Sequence, residues 1–322
     1  MLKNLNIFTC LLLILGLFIA PDVFAKDKLV IGITMIIEHP ALNDVVRGFK
    51  ESLSQKGYKE NVAVSFDSRN AQGSMENAVQ IAAGFIGKKV DLILAVGTPV
   101  AKAVTEQTST IPVVIAAITD PVGSGLVKDP KHPGGNVTGT SDMVPVEEQF
   151  KFIKRLIPKT KKIGVVYNAG EPNSVIIIGK AREAAKKLGL ILVEANANKT
   201  SEVRAAAASL VGKIDVMYLT TDNTTAAAID VINDICNENR LPFVSSEKAS
   251  LKAGTLAFLG INYYERGLEA GNIAFKILKG EKPGNIPISY PEKFDVAINK
   301  KVAEKLGIKI PPDVLKTAEI VE

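Results

Sequence analysis

His39 and His132 are the only histidines of this chain, and Cys10 and Cys236 its only cysteines. That inventory cannot build a Cys/His zinc cluster. Neither histidine stands beside a nucleophile in a Gly-x-Ser-x-Gly elbow. Gly123-Ser124-Gly125 lacks the lysine that a phosphate-binding loop places at fixed spacing. Glu38-His39 could serve as an acid/base pair, or His39 could hydrogen-bond or stack on a ligand. Cys236 shares a helical face with Val231 and Ile232 and reads as core. The residue types therefore favour binding over catalysis, with no metal and no cofactor expected.

What remains is a set of hydrogen-bonding residues just after short apolar runs. Glu38 and His39 follow the first run, Thr98 another, and Thr119 with Asp120 a third. In the second half, Asn168, Glu171, Asn173 and Ser174 follow one run, and Thr221 with Asp222 the next. Ser245-Ser246-Glu247 and Asn262-Tyr263 come after the last two. Such residues also cap helices, which serves as well as ligand contact to explain any one of them. Collectively they aim polar groups from both halves at one place. Gly97-Thr98-Pro99 puts a proline in a first helical turn, where backbone N–H groups and the helix dipole favour an anion. A ligand carboxylate suits that position, assisted by the Thr98 hydroxyl. Asp222 would then pair with a ligand amine, so that facing lobes recognise a zwitterion.

These loops need a scaffold that presents them together. Leu29–Met35 is a β-branched apolar run, a buried-strand pattern. Leu42, Val45, Val46, Phe49 and Leu53 then recur at helical spacing before Gly57. Strands are expected at Val62–Phe66, Asp91–Val96 and Pro112–Ile118, and Ser74 caps a helix between the first two. Asn136–Gly139 leads out of this half. Near residue 142 the alternation restarts, with strands at Ile163–Tyr167, Leu190–Val193, Val216–Thr220, Phe243–Ser245 and Thr255–Ile261. Alternating units imply parallel sheets covered by helices. Two α/β lobes, each a doubly wound parallel sheet, are expected, joined by a hinge of several strands. In such sheets ligands bind beyond the carboxyl ends of the strands. The length of 322 residues fits two lobes, and the net charge of +5 gives no nucleic-acid footprint.

Lys3, the apolar run Ile7–Ala20 and the small residues of Val23-Phe24-Ala25 have the layout of a secretory signal peptide. Cleavage after Ala25 is expected, and the run is shorter than the roughly 20 residues that span a bilayer. Export would leave Cys236 as the one thiol, with no internal disulfide.

Several motifs then match in order and spacing: Ile37-Glu38-His39-Pro40-Ala41-Leu42, Gly97-Thr98-Pro99, Asp120-Pro121, Gly134 through Gly139, and Tyr167-Asn168 through Glu171-Pro172-Asn173-Ser174. Together they resemble the substrate-binding proteins of bacterial ABC importers of the tryptophan/tyrosine-type (TrpX-like) family, over essentially the whole mature chain. The resemblance implies a type I periplasmic-binding-protein fold with three crossings. It divides the chain into residues 26–141 plus 263–288 for the N-terminal lobe and 142–262 plus 289–322 for the C-terminal lobe. It implies a periplasmic or extracellular-face monomer that closes on a small zwitterion, often an aromatic amino acid, and delivers it to a membrane permease. The family's cleft positions fall on Glu38, Thr98, Asp120, Asn168, Glu171, Asn173, Ser174, Asp222 and Asn262. A nucleoside, a sugar or another metabolite is the alternative ligand, and a ligand-sensing module for a membrane receptor the alternative role.

Overall fold

The computed structural model describes residues 28–321, so the signal-peptide expectation lies outside the described residues. The first half runs β1 (Leu29–Met35), α1 (Pro40–Gln55), β2 (Val64–Asn70), α2 (Met75–Gly87), β3 (Leu92–Val96), α3 (Thr98–Thr105), β4 (Val113–Ile118) and β5 (Val137–Ser141). The second continues with α4 (Val146–Leu156), β6 (Lys162–Tyr167), α5 (Pro172–Leu188), β7 (Ile191–Asn196), α6 (Val203–Leu210), β8 (Val216–Leu219), α7 (Asn223–Ala227), α8 (Ile229–Glu238), β9 (Phe243–Ser245) and β10 (Ala257–Gly260). After α9 (Tyr263–Leu278) come β11 (Asp295–Asn299), α10 (Lys300–Lys305), α11 (Pro312–Leu315) and β12 (Glu319–Val321).

Two sheets result, in strand order β2-β1-β3-β4-β5 and β12-β11-β10-β9-β8-β6-β7. The first is parallel throughout. The second is parallel except where β11 runs antiparallel to β10. Both sheets share one winding. The first strand of each half pairs with the second on one side and the third on the other, so the chain reverses direction between them. Crevices open at such reversals. Here they lie beyond β1 and β3 in one lobe and beyond β6 and β8 in the other.

Local chemistry explains most boundaries. Ser74 accepts a hydrogen bond from the Asn77 N–H and starts α2. Gly189 ends α5 with φ 66°, the left-handed conformation that suits glycine. In the first sheet two strands depart most from the sequence expectation. β2 begins later and runs through Asp67-Ser68-Arg69-Asn70, because an edge strand carries polar residues on its exposed side. Residues 137–141 form a fifth strand beside β4 instead of an exit loop.

α9 lies along α1 so closely that side chains are excluded. A Cβ on Gly48 would come within 2.3 Å of the Tyr264 carbonyl oxygen, and one on Gly267 within 2.2 Å of the Val45 carbonyl oxygen. β5 and residue 289 run side by side, with the Ser141 N–H 2.8 Å from the Ser289 carbonyl and the Ser289 N–H 2.9 Å from that of Gly139. Two of the passages between the sheets are thus bonded to each other.

Candidate ligand site

His39, Leu42, Ala117 and Thr119 from the first lobe meet Asn173, Thr221, Asp222, Asn223 and Glu247 from the second around a common pocket. Asp142 and Tyr263, from the passages between the lobes, complete it. The lobes touch across it. His39 Nε2 lies 3.5 Å from Asn223 Oδ1, and the Thr119 and Thr221 hydroxyls are 2.9 Å apart. Just outside, Lys180 pairs with Asp120 at 3.7 Å. About 10 Å³ of open volume remains, room for one water-sized sphere. Ala117 stands at φ 54° where β4 shifts register against β5. Left-handed alanine is strained, and such strain gathers at functional sites.

The expected residues divide sharply. His39, Thr119, Asn173, Thr221 and Asp222 line the pocket. Asn168, Glu171 and Ser174 stand behind it as a buried brace. The Glu171 carboxylate accepts from Asn223 N–H and Nδ2, Thr224 N–H and Oγ1, and Asn173 Nδ2, at 2.5 to 3.1 Å. Asn168 gives its side-chain amide to Thr224 Oγ1 at 2.8 Å. The loop after β6 and the start of α7 are thereby tied together.

Asp222 requires a correction. Its Oδ2 accepts from Asn168 N–H at 2.7 Å and Ser174 Oγ at 2.5 Å. Its Oδ1 accepts from Thr225 N–H at 2.7 Å and Thr225 Oγ1 at 2.8 Å. A carboxylate offers about four lone-pair sites, and these are taken. Asp222 caps α7, and its acceptor positions are filled by the protein's own donors rather than left open for a ligand amine. Burial and the nearby Glu171 charge raise its pKa to about 6, against the pull of its hydrogen bonds.

Three further expected residues stand apart from the pocket lining. Glu38 is exposed and accepts from Asn43 Nδ2 at 3.3 Å. Asn262 is exposed and caps α9 through the Glu265 N–H at 3.3 Å. Asp120 accepts the Gly123 N–H at 2.8 Å and works as a turn brace and rim charge. Thr98 is buried and its hydroxyl has no partner, but it does not line the pocket. Gly97, at φ 95°, faces the second lobe there, and a Cβ on it would lie 3.6 Å from Asn223 Oδ1. The Asn223 amide covers the approach to α3 that a ligand carboxylate was expected to take.

Asp142, Asn223, Glu247 and Tyr263 complete the lining; Glu247 and Tyr263 stand in strand-end runs noted in the sequence, without an assigned role. Tyr263 Oη donates to Asp142 Oδ2 at 3.2 Å, while Asp142 Oδ1 has no partner. Burial pushes Asp142 up to about 6 despite the hydroxyls beside it. Burial, then the Asp142 charge, pushes Glu247 up to about 8. Burial also lowers His39 to about 4, so its imidazole is neutral at physiological pH. Ser245-Ser246-Glu247 was visible as a strand-end triplet, but nothing local distinguishes its glutamate.

Residues 30–322 match the family described as ABC transporter substrate binding protein. This chain belongs to that family. It is 40% identical over 293 residues to a tyrosine-binding protein of Clostridioides difficile, covering 91% of this chain and 85% of the relative. A structure from Streptococcus pneumonia in complex with L-Trp superposes with a TM-score of 0.87 at 33% identity, covering 91% of this chain and all of the other. The ligand-free, open structure of a substrate binding protein with adhesive properties from Clostridium difficile gives 0.68 at 38% identity, covering 91% and 99%. The more identical chain, the open one, fits less well. This substrate-binding protein has the type I periplasmic-binding fold, with its lobes in contact across the pocket.

Proposed function

We propose that this substrate-binding protein captures an aromatic L-amino acid between its lobes and hands it to the permease of an ABC importer. The observation that carries the reading is the contact of the lobes across the pocket, in an arrangement that matches the L-Trp complex better than the open relative. The identity to a tyrosine-binding protein points to the same ligand class. A ligand that bridges both lobes stabilises the closed state by its differential affinity. Of Tyr167, Tyr263 and Tyr264, which a sugar site would want as stacking platforms, Tyr263 alone lines the pocket. No chemical step on the ligand is assigned.

We assign residues 26–141 with 263–288 to one lobe and 142–262 with 289–322 to the other. The end of β5 at Ser141, the packing of α9 on α1 and the pairing of β11 with β10 support that division. The mature protein, cleaved after Ala25, works outside the cytoplasmic membrane as a monomer. Calorimetric titration of the purified protein with the twenty amino acids tests the ligand class. Saturable binding of tyrosine, tryptophan or phenylalanine is expected, and binding confined to non-aromatic amino acids would overturn it.

A further inference from the structure

Four side chains that line the pocket bond across it, in two pairs. The Thr119 and Thr221 hydroxyls make the closer one at 2.9 Å, and His39 Nε2 with Asn223 Oδ1 the looser one at 3.5 Å. The second-lobe halves are held firmly. The Thr221 carbonyl accepts from Asn173 Nδ2 at 2.8 Å, and the Glu171 carboxylate accepts from both the N–H and the Nδ2 of Asn223. With Nδ2 committed to Glu171, Asn223 presents only its oxygen to the first lobe, so His39 must donate from Nε2. That tautomer leaves Nδ1 a bare acceptor, and it is buried without a partner among the described residues. His39 also stands at the N-cap of α1 without making a side-chain cap bond. Its one side-chain hydrogen bond among the described residues therefore leads to the other lobe. The Lys180–Asp120 pair at the rim is open to solvent, which screens it, so the inner pairs carry more of the attraction.

We propose that these two pairs form a latch through which the lobes hold each other directly, so that a share of the molecules is closed before ligand arrives and affinity for every ligand is scaled alike. Thr221 and Asn223 are the fixed half, set by Glu171 and Asn173. Thr119 and His39 are the half that comes to it. A ligand that binds only the closed form has its apparent dissociation constant divided by the closed fraction. Losing a latch bond therefore weakens different ligands by one common factor, whereas losing a ligand contact weakens only ligands that carry the group. A lost neutral hydrogen bond changes an equilibrium by roughly threefold to tenfold. The latch rests on capture between the lobes, but its first readout needs no ligand.

That readout is small-angle X-ray scattering of the unliganded protein. Thr221→Val keeps the shape of the side chain and removes the hydroxyl, and circular dichroism checks its fold. Its radius of gyration should exceed that of the wild type, and Thr221→Ser, which restores the hydroxyl, should return it. Equal radii in the wild type and a folded Thr221→Val overturn the latch. If Thr221→Val does not fold, Thr119→Val carries the same measurement, with the same two outcomes, from the other lobe. The second readout is calorimetry with L-tyrosine, L-tryptophan and L-phenylalanine. Thr221→Val should weaken all that bind by one common factor of roughly threefold to tenfold, and adding Thr119→Val should cost less than about a further twofold. Losses that differ between ligands, or that multiply in the double variant, make the hydroxyls ligand contacts and overturn the latch. If the radius shifts as expected and no amino acid binds, the amino-acid reading falls and the latch stands.

Discussion

The Tyr263 hydroxyl lies 3.2 Å from Asp142 Oδ2, joining the first residue of α9 to the first residue beyond β5. One hydrogen bond thus ties two separate passages between the lobes, at the floor of the ligand pocket. The other Asp142 oxygen is buried without a hydrogen-bond partner among the described residues.

Tyr263→Phe removes that donor and nothing else of size. A hydrogen bond to a charged acceptor contributes about 1.5–3 kcal/mol. Asp142 would then be harder to ionise and less fixed in direction. Calorimetric titration should show affinity for the cognate amino acid reduced about tenfold or more, since about 1.4 kcal/mol is one factor of ten. Unchanged affinity would remove the bond from the binding machinery.

Asp222→Asn should damage the fold before it damages recognition. An amide in place of the carboxylate turns one acceptor into a donor against the N–H and O–H groups of Asn168, Ser174 or Thr225. The expected loss is about 2–4 kcal/mol of stability in urea unfolding, from buried donors left facing a donor. A variant of full stability that has lost affinity would return Asp222 to the role of ligand anchor.

The pH dependence has a definite sign. Glu247 moves from an ordinary 4.5 to about 8 on folding, and Asp142 from 3.8 to about 6. The folded state then binds more protons than the unfolded one between those limits, so their contribution to stability falls as pH rises through that window. His39, lowered from 6.5 to about 4, acts in the opposite sense between those values. A bound ammonium favours the ionised carboxylates and cancels their penalty. The rise in Tm given by saturating amino acid should therefore be larger at pH 8 than at pH 5.5, and Glu247→Gln should flatten the difference. A ligand-induced shift independent of pH in the wild type would contradict the charge states assigned to this pair.

Gly48→Ala and Gly267→Ala test the helix contact that holds α9 to the first lobe. In a free helix, alanine in place of glycine gains about 1 kcal/mol. Here each new methyl would meet a carbonyl oxygen of the facing helix at 2.3 or 2.2 Å, and overpacking of that kind costs about 1–3 kcal/mol or more. Thermal unfolding should show both variants destabilised. A stabilised variant would mean that the helices can part without loss.

Much of the architecture is legible in the sequence because its signals are local. β1 is a continuous apolar run with its register set against β2 and β3, and Ser74 caps a helix as its type demands. The same local chemistry misleads at the site. Asp222 follows a strand like any ligand anchor, yet its partners Asn168 and Ser174 come from the loop after β6 and the first turn of α5. Asp142 and Glu247 gain their shifted protonation from burial, to which the Asp142 charge adds for Glu247. No periodicity or spacing records a burial that two distant segments create jointly. Asp142 is hidden for a further reason: it follows a stretch that reads as an exit loop and folds as β5.

The pairing of α1 with α9 also bears on the order of assembly. A chain emerging in sequence can form all five strands of the first sheet while α1 still lacks the helix that covers it. That cover comes only after the strands β6 to β10 of the other lobe have been made. Contacts between segments so far apart form late and slowly. Until α9 arrives, the face of α1 that carries Val45 and Gly48 is left without its cover.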